Sequence, residues 1–282
     1  MLTFFTAPKP FTGHIAVIQR NALRSWAQLP GCDIIVFGEE EGLEATSAEL
    51  GATHIPDVAR SPQGTPLVGD MFARARTTGS HPVLCFVNAD VIFTSSLLDA
   101  VRRVEQRRFL LVGQRWDLDV QEELRFDADW EAALLRRVHA QGRRHPPAGS
   151  DYFAYPRDVD WQMPPFTVGR VGWDNWTLGR ARQLSLDVID ATRVVDAIHQ
   201  DHAYLPAQLP EASLDGTLEA GANLGLLDGR FATLYHARHV LTRRWLLPAL
   251  EPRRLAGRVV SSHFAGLIRW AFRTRIARRQ TT

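Results

Sequence analysis

The sequence predicts an α/β protein with a mostly parallel sheet flanked by helices. Short apolar segments of strand length alternate with segments that carry apolar residues at helical spacing, starting at the first residue. The strand segments are nearly continuous apolar runs, as in parallel strands with both faces covered. With 282 residues, 45% hydrophobic and 23% charged, the chain is long and apolar enough to bury a sizeable core.

Five strands are predicted in the first 116 residues, and helices separate most of them. The strands are predicted at LTFFT (2–6), CDIIVFG (32–38), THIP (53–56), LCFVNADVIFT (84–94) and FLLVGQRW (109–116). The helices are predicted over 14–29, 42–51, 67–78 and 95–106. Gly31 and Gly51 end the first two helices, Pro66 falls in the first turn of the third, and Ser95 or Ser96 caps the fourth. This alternation favours a sheet with helices on both faces.

The pattern changes after residue 120. Helices are predicted over 127–142 and 173–184, and short strands over 151–156, 186–192 and 193–200. Residues 203–230 have a loop-like composition, and the chain from 231 onward is helical in pattern and basic. We therefore expect one domain over residues 1–205 and a loop-and-helix extension over 206–282.

The composition excludes several classes of protein. The formal net charge is +2, so no global nucleic-acid signature exists and no nucleic-acid partner is expected. Cys32 and Cys85 fall in or beside predicted buried strands, where inert core thiols are expected. The first residues lack a signal-peptide pattern, and no run of about eighteen apolar residues occurs. A cytoplasmic location is therefore expected.

An acidic residue lies inside the predicted fourth strand. Asn88, Ala89 and Asp90 interrupt an apolar run, where an ionised carboxylate needs a partner. Asp90 could be a strand-end cap. It could also bind Mg²⁺ or Mn²⁺, because ligands of open α/β sheets bind at the carboxyl ends of strands and these ions take one or two carboxylates.

Two further stretches carry residues suited to chemistry. In VGWDNW, Asp174 opens a predicted helix, where it could cap the helix or act as a general base. The neighbouring tryptophans favour a carbohydrate cleft. In AIHQDH, strand alternation points the side chains of His199 and Asp201 to one face and that of His202 to the other, so one metal-ligating histidine is expected. His199, which directly follows an apolar run, is the expected ligand. Solvent-facing histidines are the alternative.

The order of these motifs resembles the nucleotide-sugar glycosyltransferases of the GT-A fold, in particular bacterial family-2-like enzymes. An Asn-x-Asp ends a central strand, and a glycine loop (AGSDYF), an Asp that opens a helix, and a late histidine follow. The resemblance covers roughly residues 1–205. Two departures from the family pattern stand out: Asn88 replaces the first acid of the DxD-type motif, and Trp173 replaces the acid before Asp174.

The resemblance implies metal-dependent transfer of a sugar from a nucleoside-diphosphate sugar to an acceptor hydroxyl, with Mn²⁺ or Mg²⁺ as cofactor. Asp90 and His199 would be the metal ligands, and Asp174 the base of an inverting reaction, with retention left open. The implied donor-binding residues are Thr6, Lys9, Arg20, Asn21, Glu39 with its neighbour Glu40, Asp70, Arg74, Asn88, Ala89 and Asp90. The implied acceptor-binding residues are Gly149, Ser150, Asp151, Trp173 and Asn175.

The basic C-terminal segment indicates a further partner. In residues 262–282, apolar side chains share one helical face and arginines lie away from it. Such a helix could pack on the domain, form a homodimer, or lie on an anionic membrane surface as a peripheral contact. The last arrangement would suit a lipid-linked acceptor, and polysaccharide or glycolipid synthesis. A carbohydrate acceptor stays open, as do two other functions: a nucleotidyltransferase of related fold and a non-catalytic nucleotide- or sugar-binding protein.

Overall fold

The computed structural model describes residues 1–202 and 214–261, with side chains described at all of these positions except 214–217. The strands are β1 Leu2–Thr6, β2 Cys32–Phe37, β3 Thr53–Ile55, β4 Val83–Val87, β5 Val91–Phe93, β6 Phe109–Val112, β7 Trp116–Asp119, β8 Arg143–Arg144, β9 Tyr152–Pro156, β10 Asp187–Asp190, β11 Ala197–Asp201, β12 His239–Leu241 and β13 Leu246–Pro248. The helices are α1 Gly13–Ala27, α2 Leu43–Leu50, α3 Val68–Thr78, α4 Ser96–Arg102, α5 Trp130–Gln141, α6 Trp173–Gln183 and α7 Leu214–Gly225. A further helix, α8, covers residues 252–261.

The main sheet has nine strands in the order β13-β12-β10-β6-β9-β4-β1-β2-β3. Strands β1, β2, β3 and β4 are parallel neighbours, and β10 is parallel to both β6 and β12. Strand β9 lies antiparallel between β4 and β6, and β13 closes the far edge as an antiparallel strand. The predicted α/β class, a mostly parallel sheet flanked by helices, is confirmed.

Both faces of this sheet are buried, which explains the continuous apolar strands. Phe5 and Phe86 contribute to the core on one face, and their ring centroids are 5.5 Å apart. Phe4 and Cys85, their neighbours in sequence, contribute to the core on the other face. Successive side chains of a strand point to opposite faces, so each strand supplies both cores. Cys85 is buried and Cys32 half-buried, and both are free thiols, as expected.

A second sheet of four strands, in the order β5-β11-β7-β8, lies where two predicted strands break. The segment LCFVNADVIFT is not one strand: β4 ends at Val87, and the backbone N–H of Val91 donates to the carbonyl of Asn88 at 3.1 Å before β5 begins. FLLVGQRW likewise divides into β6 and β7. The apolar pattern continues across both breaks because β5 is buried and β7 is partly buried, so periodicity alone could not reveal the change of sheet.

The C-terminal part differs from the expected loop and helix. Helix α7 lies inside the predicted loop, and β12 and β13 form a hairpin at the edge of the main sheet where a helix was predicted. Pairing of β12 with β10 outweighs the local helical pattern. Residues 262–282, the predicted amphipathic helix, lie outside the described residues. Among the helices that the structure describes, none is long and apolar enough to cross a membrane.

Candidate metal centre and substrate cleft

A cleft of about 500 Å³ opens at the carboxyl ends of β1 and β4. This is the edge where open α/β sheets bind ligands. Its walls come from the loop after β1, from α1, from the turn after β4, and from two loops at 64–66 and 168–170. The lining residues are Ala7, Pro8, Lys9, Pro10, Ile15, Ile18, Gln19, Glu40, Gly64, Thr65, Pro66, Asn88, Ala89, Asp90, Val168, Gly169, Arg170 and His202.

One carboxylate and two imidazoles meet beside this cleft, and Asp90 and His202 line it. Oδ2 of Asp90 lies 3.5 Å from Nε2 of His199 and 3.5 Å from Nε2 of His202. The other carboxylate oxygen, Oδ1 of Asp90, is buried and has no hydrogen-bond partner among the residues that the structure describes. The His199 side chain is only 4% exposed. A buried oxygen without a donor, beside two imidazole nitrogens, is a set of groups that can hold a metal ion.

The pairing of β5 with β11 brings these residues together. The two strands are antiparallel with Val91 opposite His199, so the residue before Val91 lies next to the imidazole. Strand β11 ends at Asp201, and the backbone of His202 is no longer bound by strand alternation. The expectation that His202 points away from His199 is therefore wrong, because the two rings lie 5.6 Å apart, centroid to centroid.

The opposite nitrogen of His199 faces two carboxylates. Its Nδ1 lies 3.4 Å from Oδ1 of Asp117 and 3.6 Å from Oδ1 of Asp201. The parallel pairing of β7 with β11, in which His199 is opposite Asp117, sets this contact. A carboxylate behind the distal nitrogen orients an imidazole and leaves the other nitrogen for a metal. His199 therefore presents Nε2 to Asp90.

A chain of buried polar contacts continues from Asp117 to the turn after β4. Arg115 donates to Asp117 over 2.8 Å and to Asp151 over 2.5 Å. Asp151 also accepts a hydrogen bond of 2.8 Å from the side-chain amide of Asn88. His145 approaches the second oxygen of Asp117 at 3.1 Å. Each carboxylate of the chain is thus held by a cation or an amide, which compensates its burial.

The charges around His199 shift the protonation of the whole cluster. Burial opposes ionisation of Asp90, but His199, by its charge and hydrogen bond, and His202 outweigh it, so the pKa of Asp90 lies well below its usual range. The pKa of Asp117 is also lowered, since His199 and Arg115 outweigh burial. Burial lowers the pKa of His199, but Asp90 and Asp117 overcome it and raise that pKa to about 10. The carboxylates of this cluster therefore stabilise a positively charged group that lies between them.

Asp174 lies in the first turn of α6, beside the glycine loop. Its Oδ2 lies 3.4 Å from the backbone nitrogen of Ser150, and Gly149 is adjacent. Burial, with the nearby charge of Asp151, raises the pKa of Asp174 to about 6 against backbone N–H groups that lower it. Asp174 does not line the described cleft, and it connects to the cleft through the loop that carries Asp151, the partner of Asn88.

The residues around Asp174 are packed rather than presented to a ligand. Trp173 and Trp176 are 4% and 2% exposed, and Trp173 packs on Phe86 with ring centroids 4.9 Å apart. Neither indole face is open to a sugar, so the interpretation of these tryptophans as a carbohydrate platform is wrong. The Asn175 amide is buried and donates to the carbonyls of Ala148 and Ala232, which holds the glycine loop in place.

Four of the expected donor-binding residues line the cleft: Lys9, Asn88, Ala89 and Asp90. Of the two adjacent acids after β2, Glu40 lines it, and Glu40 forms an ion pair of 3.1 Å with Arg60. Glu39 is exposed to solvent and is not part of the described cleft wall.

The remaining expected donor contacts lie elsewhere. Arg20 lies 3.7 Å from Glu123 on the surface, and Arg74 pairs with Asp70 at 2.9 Å, away from the described cleft. Thr6 is buried at the end of β1. Asn21 is fully buried, and its amide donates to Gln200 and to the carbonyl of residue 122 and accepts from the backbone of residue 124. These contacts use the amide within the protein, so it cannot reach a nucleotide.

Sequence reasoning missed several residues of the site. Arg115, Asp117 and His145 gave no local signal, because their relevance depends on β7 leaving the main sheet to pair with β11. Arg170 lines the cleft while its guanidinium binds Glu219 of α7 at 2.7 Å, a contact across 49 positions of sequence. The one sequence signal for Arg170 was its position in the loop just before Asp174.

Comparison with solved structures gives the fold. A mannosyltransferase from Pyrobaculum calidifontis, solved in complex with GDP-Man and Mn²⁺, matches 98% of this chain and 74% of its own with a TM-score of 0.52 at 9% identity. This is the GT-A fold. A glucosyl-3-phosphoglycerate synthase from Mycobacterium tuberculosis, solved with Mn²⁺, UDP and phosphoglyceric acid, matches 81% of this chain and 78% of its own, with a TM-score of 0.47 at 17% identity.

By sequence, no family model matches the chain and no curated protein matches it. The GT-A fold of the chain is therefore established by its structure and not by its sequence. Within this GT-A fold, the cluster of Asp90, His199 and His202 lies at the carboxyl end of a central strand, and Asp90 and His202 line the cleft.

Proposed function

We propose that this chain is a metal-assisted glycosyltransferase that takes a nucleoside-diphosphate sugar as donor. The observation that carries the proposal is the cluster of Asp90, His199 and His202, of which Asp90 and His202 line one cleft at the carboxyl end of β4, within a GT-A fold. A buried carboxylate oxygen without a donor and two imidazole nitrogens form a ready ligand set beside a cleft of about 500 Å³, a size suited to a small ligand.

The ligand set favours Mn²⁺ over Mg²⁺. Mg²⁺ prefers oxygen ligands in a strict octahedron, whereas imidazole nitrogens suit transition metals. Asp90 supplies oxygen, and His199 and His202 supply nitrogen. Asp117 lies 3.4 Å from Nδ1 of His199, and Nε2 of the same ring faces Asp90. The bound cation would neutralise the negative charge that develops on the leaving diphosphate.

The donor side is assigned to residues of the cleft wall. Lys9 follows β1 on the rim and supplies positive charge for a phosphate or a base oxygen. Glu40, on the same wall, is positioned to accept hydrogen bonds from a ribose or a base, with Arg60 fixing its carboxylate. Asn88 is held by Asp151 through its NH₂ group, and its carbonyl oxygen is assigned to the donor or to a metal-bound water.

The acceptor side is assigned to the glycine loop and to Asp174. A carboxylate with a pKa of about 6 is matched to taking a proton from an acceptor hydroxyl near neutral pH. Gly149 leaves room beside its Oδ2, and Ser150 fixes that oxygen through the backbone. With Asp174 as the base, direct attack of the acceptor hydroxyl on the donor would invert the anomeric carbon. The acceptor class we assign is a carbohydrate or lipid-linked hydroxyl.

The test is calorimetric titration of UDP and GDP, each with Mn²⁺ and then with EDTA, followed by an assay of nucleotide release from the matching sugar donor. We expect wild type to bind one nucleotide tightly with Mn²⁺ only, and Asp90→Ala to lose that binding. Asp57→Ala, which removes a carboxylate whose side chain is 91% exposed, is the matched control and should bind as wild type does.

Two outcomes would overturn the proposal. Nucleotide binding that is unaffected by EDTA and by Asp90→Ala would make Asp90 a structural carboxylate at the end of the strand. Metal-dependent binding without any release of nucleotide from a sugar donor, with or without acceptor, would assign the chain to non-catalytic sugar-nucleotide binding instead.

A further inference from the structure

The helix α8 exposes apolar side chains to solvent and turns two of its arginines toward the protein. Arg254 and Arg258, one turn apart, face inward: Arg254 pairs with the buried Asp190, and Arg258 donates to the carbonyls of Tyr235 and Ala237. Leu255, on the outer side, is 50% exposed. A helix on the surface of a water-soluble domain normally has the opposite arrangement. Polar contacts therefore fix this orientation, not burial of an apolar face.

The packing of α8 leaves no freedom for the helix to turn over. A Cβ at Gly257 would lie 2.5 Å from the ring of Tyr235, so only glycine allows the helix to approach this closely. Rotation of α8 to bury Leu255 would break the Arg254–Asp190 pair and leave Asp190, which is 1% exposed, without its cation. The outward apolar face is therefore a fixed property of the fold.

The hairpin of β12 and β13, which precedes α8 in the chain, carries further exposed apolar side chains. Its turn carries Trp245, which is 68% exposed, and the loop that leads to α8 carries Leu250, which is 73% exposed. Only the backbone of Trp245 takes part in the hydrogen bonds that close the turn, with Thr242. The indole is thus carried on a hydrogen-bonded turn and has no packing partner among the described residues.

The surroundings of this face are basic. Arg243 and Arg244 precede Trp245 in the turn, and Arg253 opens α8, all three exposed. Glu251 is the one acidic residue between positions 238 and 261, and it is paired with Arg193 and Arg254. Residues 262–282 add five arginines and no acidic residue to the sequence. The C-terminal region therefore offers no acidic side chain other than Glu251 to neutralise these arginines.

We propose that the turn with Trp245 and the outward face of α8 dock on an anionic membrane surface. An exposed indole beside arginines matches the boundary between acyl chains and negative headgroups, where the ring is apolar and its N–H is hydrated. A second copy of the chain fits less well, because a two-fold interface would bring the arginines of one copy against the same arginines of the other. The docking does not depend on the activity proposed above.

The test is sedimentation of the full chain with vesicles of pure phosphatidylcholine and with vesicles in which about one third is phosphatidylglycerol. We expect binding to the anionic vesicles only, lost in ~0.5 M salt. The double reversal Arg243→Glu with Arg244→Glu should weaken binding by roughly 30-fold or more, at about 1 kcal/mol for each basic residue removed from the surface. Trp245→Ser should weaken it by about tenfold, and Trp245→Phe should retain most of it.

The matched control is Arg107→Glu with Arg136→Glu, which changes the net charge equally at two exposed arginines outside the hairpin and α8. It should bind nearly as wild type does. Absence of vesicle binding, equal binding to both kinds of vesicle, or equal losses in the control and the Arg243/Arg244 pair would overturn the proposal. A dimer in light scattering that Trp245→Ser dissociates, without vesicle binding, would assign the face to a second copy.

Discussion

Asn88 donates its side-chain amide to the buried carboxylate of Asp151 over 2.8 Å, and its backbone N–H donates to the carbonyl of Asp151 at 3.0 Å. This double contact joins the turn after β4 to the start of β9. It also gives a physical reason for an amide where the GT-A pattern has a first acid. A carboxylate at position 88 would face the carboxylate of Asp151 without a proton to share.

The first prediction concerns this pair. Asn88→Asp removes the donor and adds a like charge, so we expect the free energy of unfolding to fall by about 2 kcal/mol. The swap Asn88→Asp with Asp151→Asn restores one amide and one carboxylate and should recover about half of that loss. Urea unfolding in EDTA measures both. Strictly additive effects of the two substitutions would show that the pair is not coupled.

The second prediction concerns Asp117, which orients His199 from behind. Asp117→Asn should lower Mn²⁺ affinity by about 10- to 100-fold, measured by titration with detection of free Mn²⁺ by electron paramagnetic resonance. The matched control is Asp119→Asn, two residues further along β7, where the carboxylate is exposed. Because Asp117 also binds Arg115, urea unfolding of the metal-free proteins should accompany the titration. Equal affinities for the two variants would remove the orienting role.

The sequence predicted the parts of this fold that depend on local pattern. The first three strands and their helices lie within a few residues of their predicted positions, because apolar runs and terminal glycines determine them. The break at Asn88 and the departure of β7 into a second sheet were missed, since both depend on pairing with β11, about 80 to 110 residues away in sequence. Asp90 and His199 were found from chemistry, but their common site required that pairing.

The third prediction separates a structural amide from a ligand contact. Asn21→Ala leaves a side-chain oxygen of Gln200 and two backbone groups without a partner, so we expect a loss of about 2–3 kcal/mol of unfolding free energy. Affinity of the folded protein for Mn²⁺ and nucleotide should be retained.

The complementary substitution is on the rim of the cleft. Lys9→Met should lower nucleotide affinity by about tenfold, and Lys9→Arg should restore much of it, because the positive charge is the shared property. Nucleotide titration and thermal unfolding of the same samples give the affinity and the stability. A nucleotide-binding defect in Asn21→Ala, with Lys9→Met unchanged, would reverse the assignment of these two residues.

The last prediction concerns the pH dependence set by Asp174. Its pKa is raised to about 6 by burial, so the carboxyl is protonated below that pH and cannot accept a proton. Turnover of the sugar donor should therefore rise with pH through about 6.

The free energy of unfolding should change in the opposite direction. The raised pKa of Asp174 stabilises the folded state at low pH, and this contribution is lost as pH rises to about 6. Asp174→Asn should lower turnover by about 10²- to 10⁴-fold, keep metal–nucleotide binding, and remove that pH-dependent loss of stability. Asp158→Asn, at an exposed position, should change none of these. An acid limb that persists unchanged in the residual turnover of Asp174→Asn would assign the base to another group.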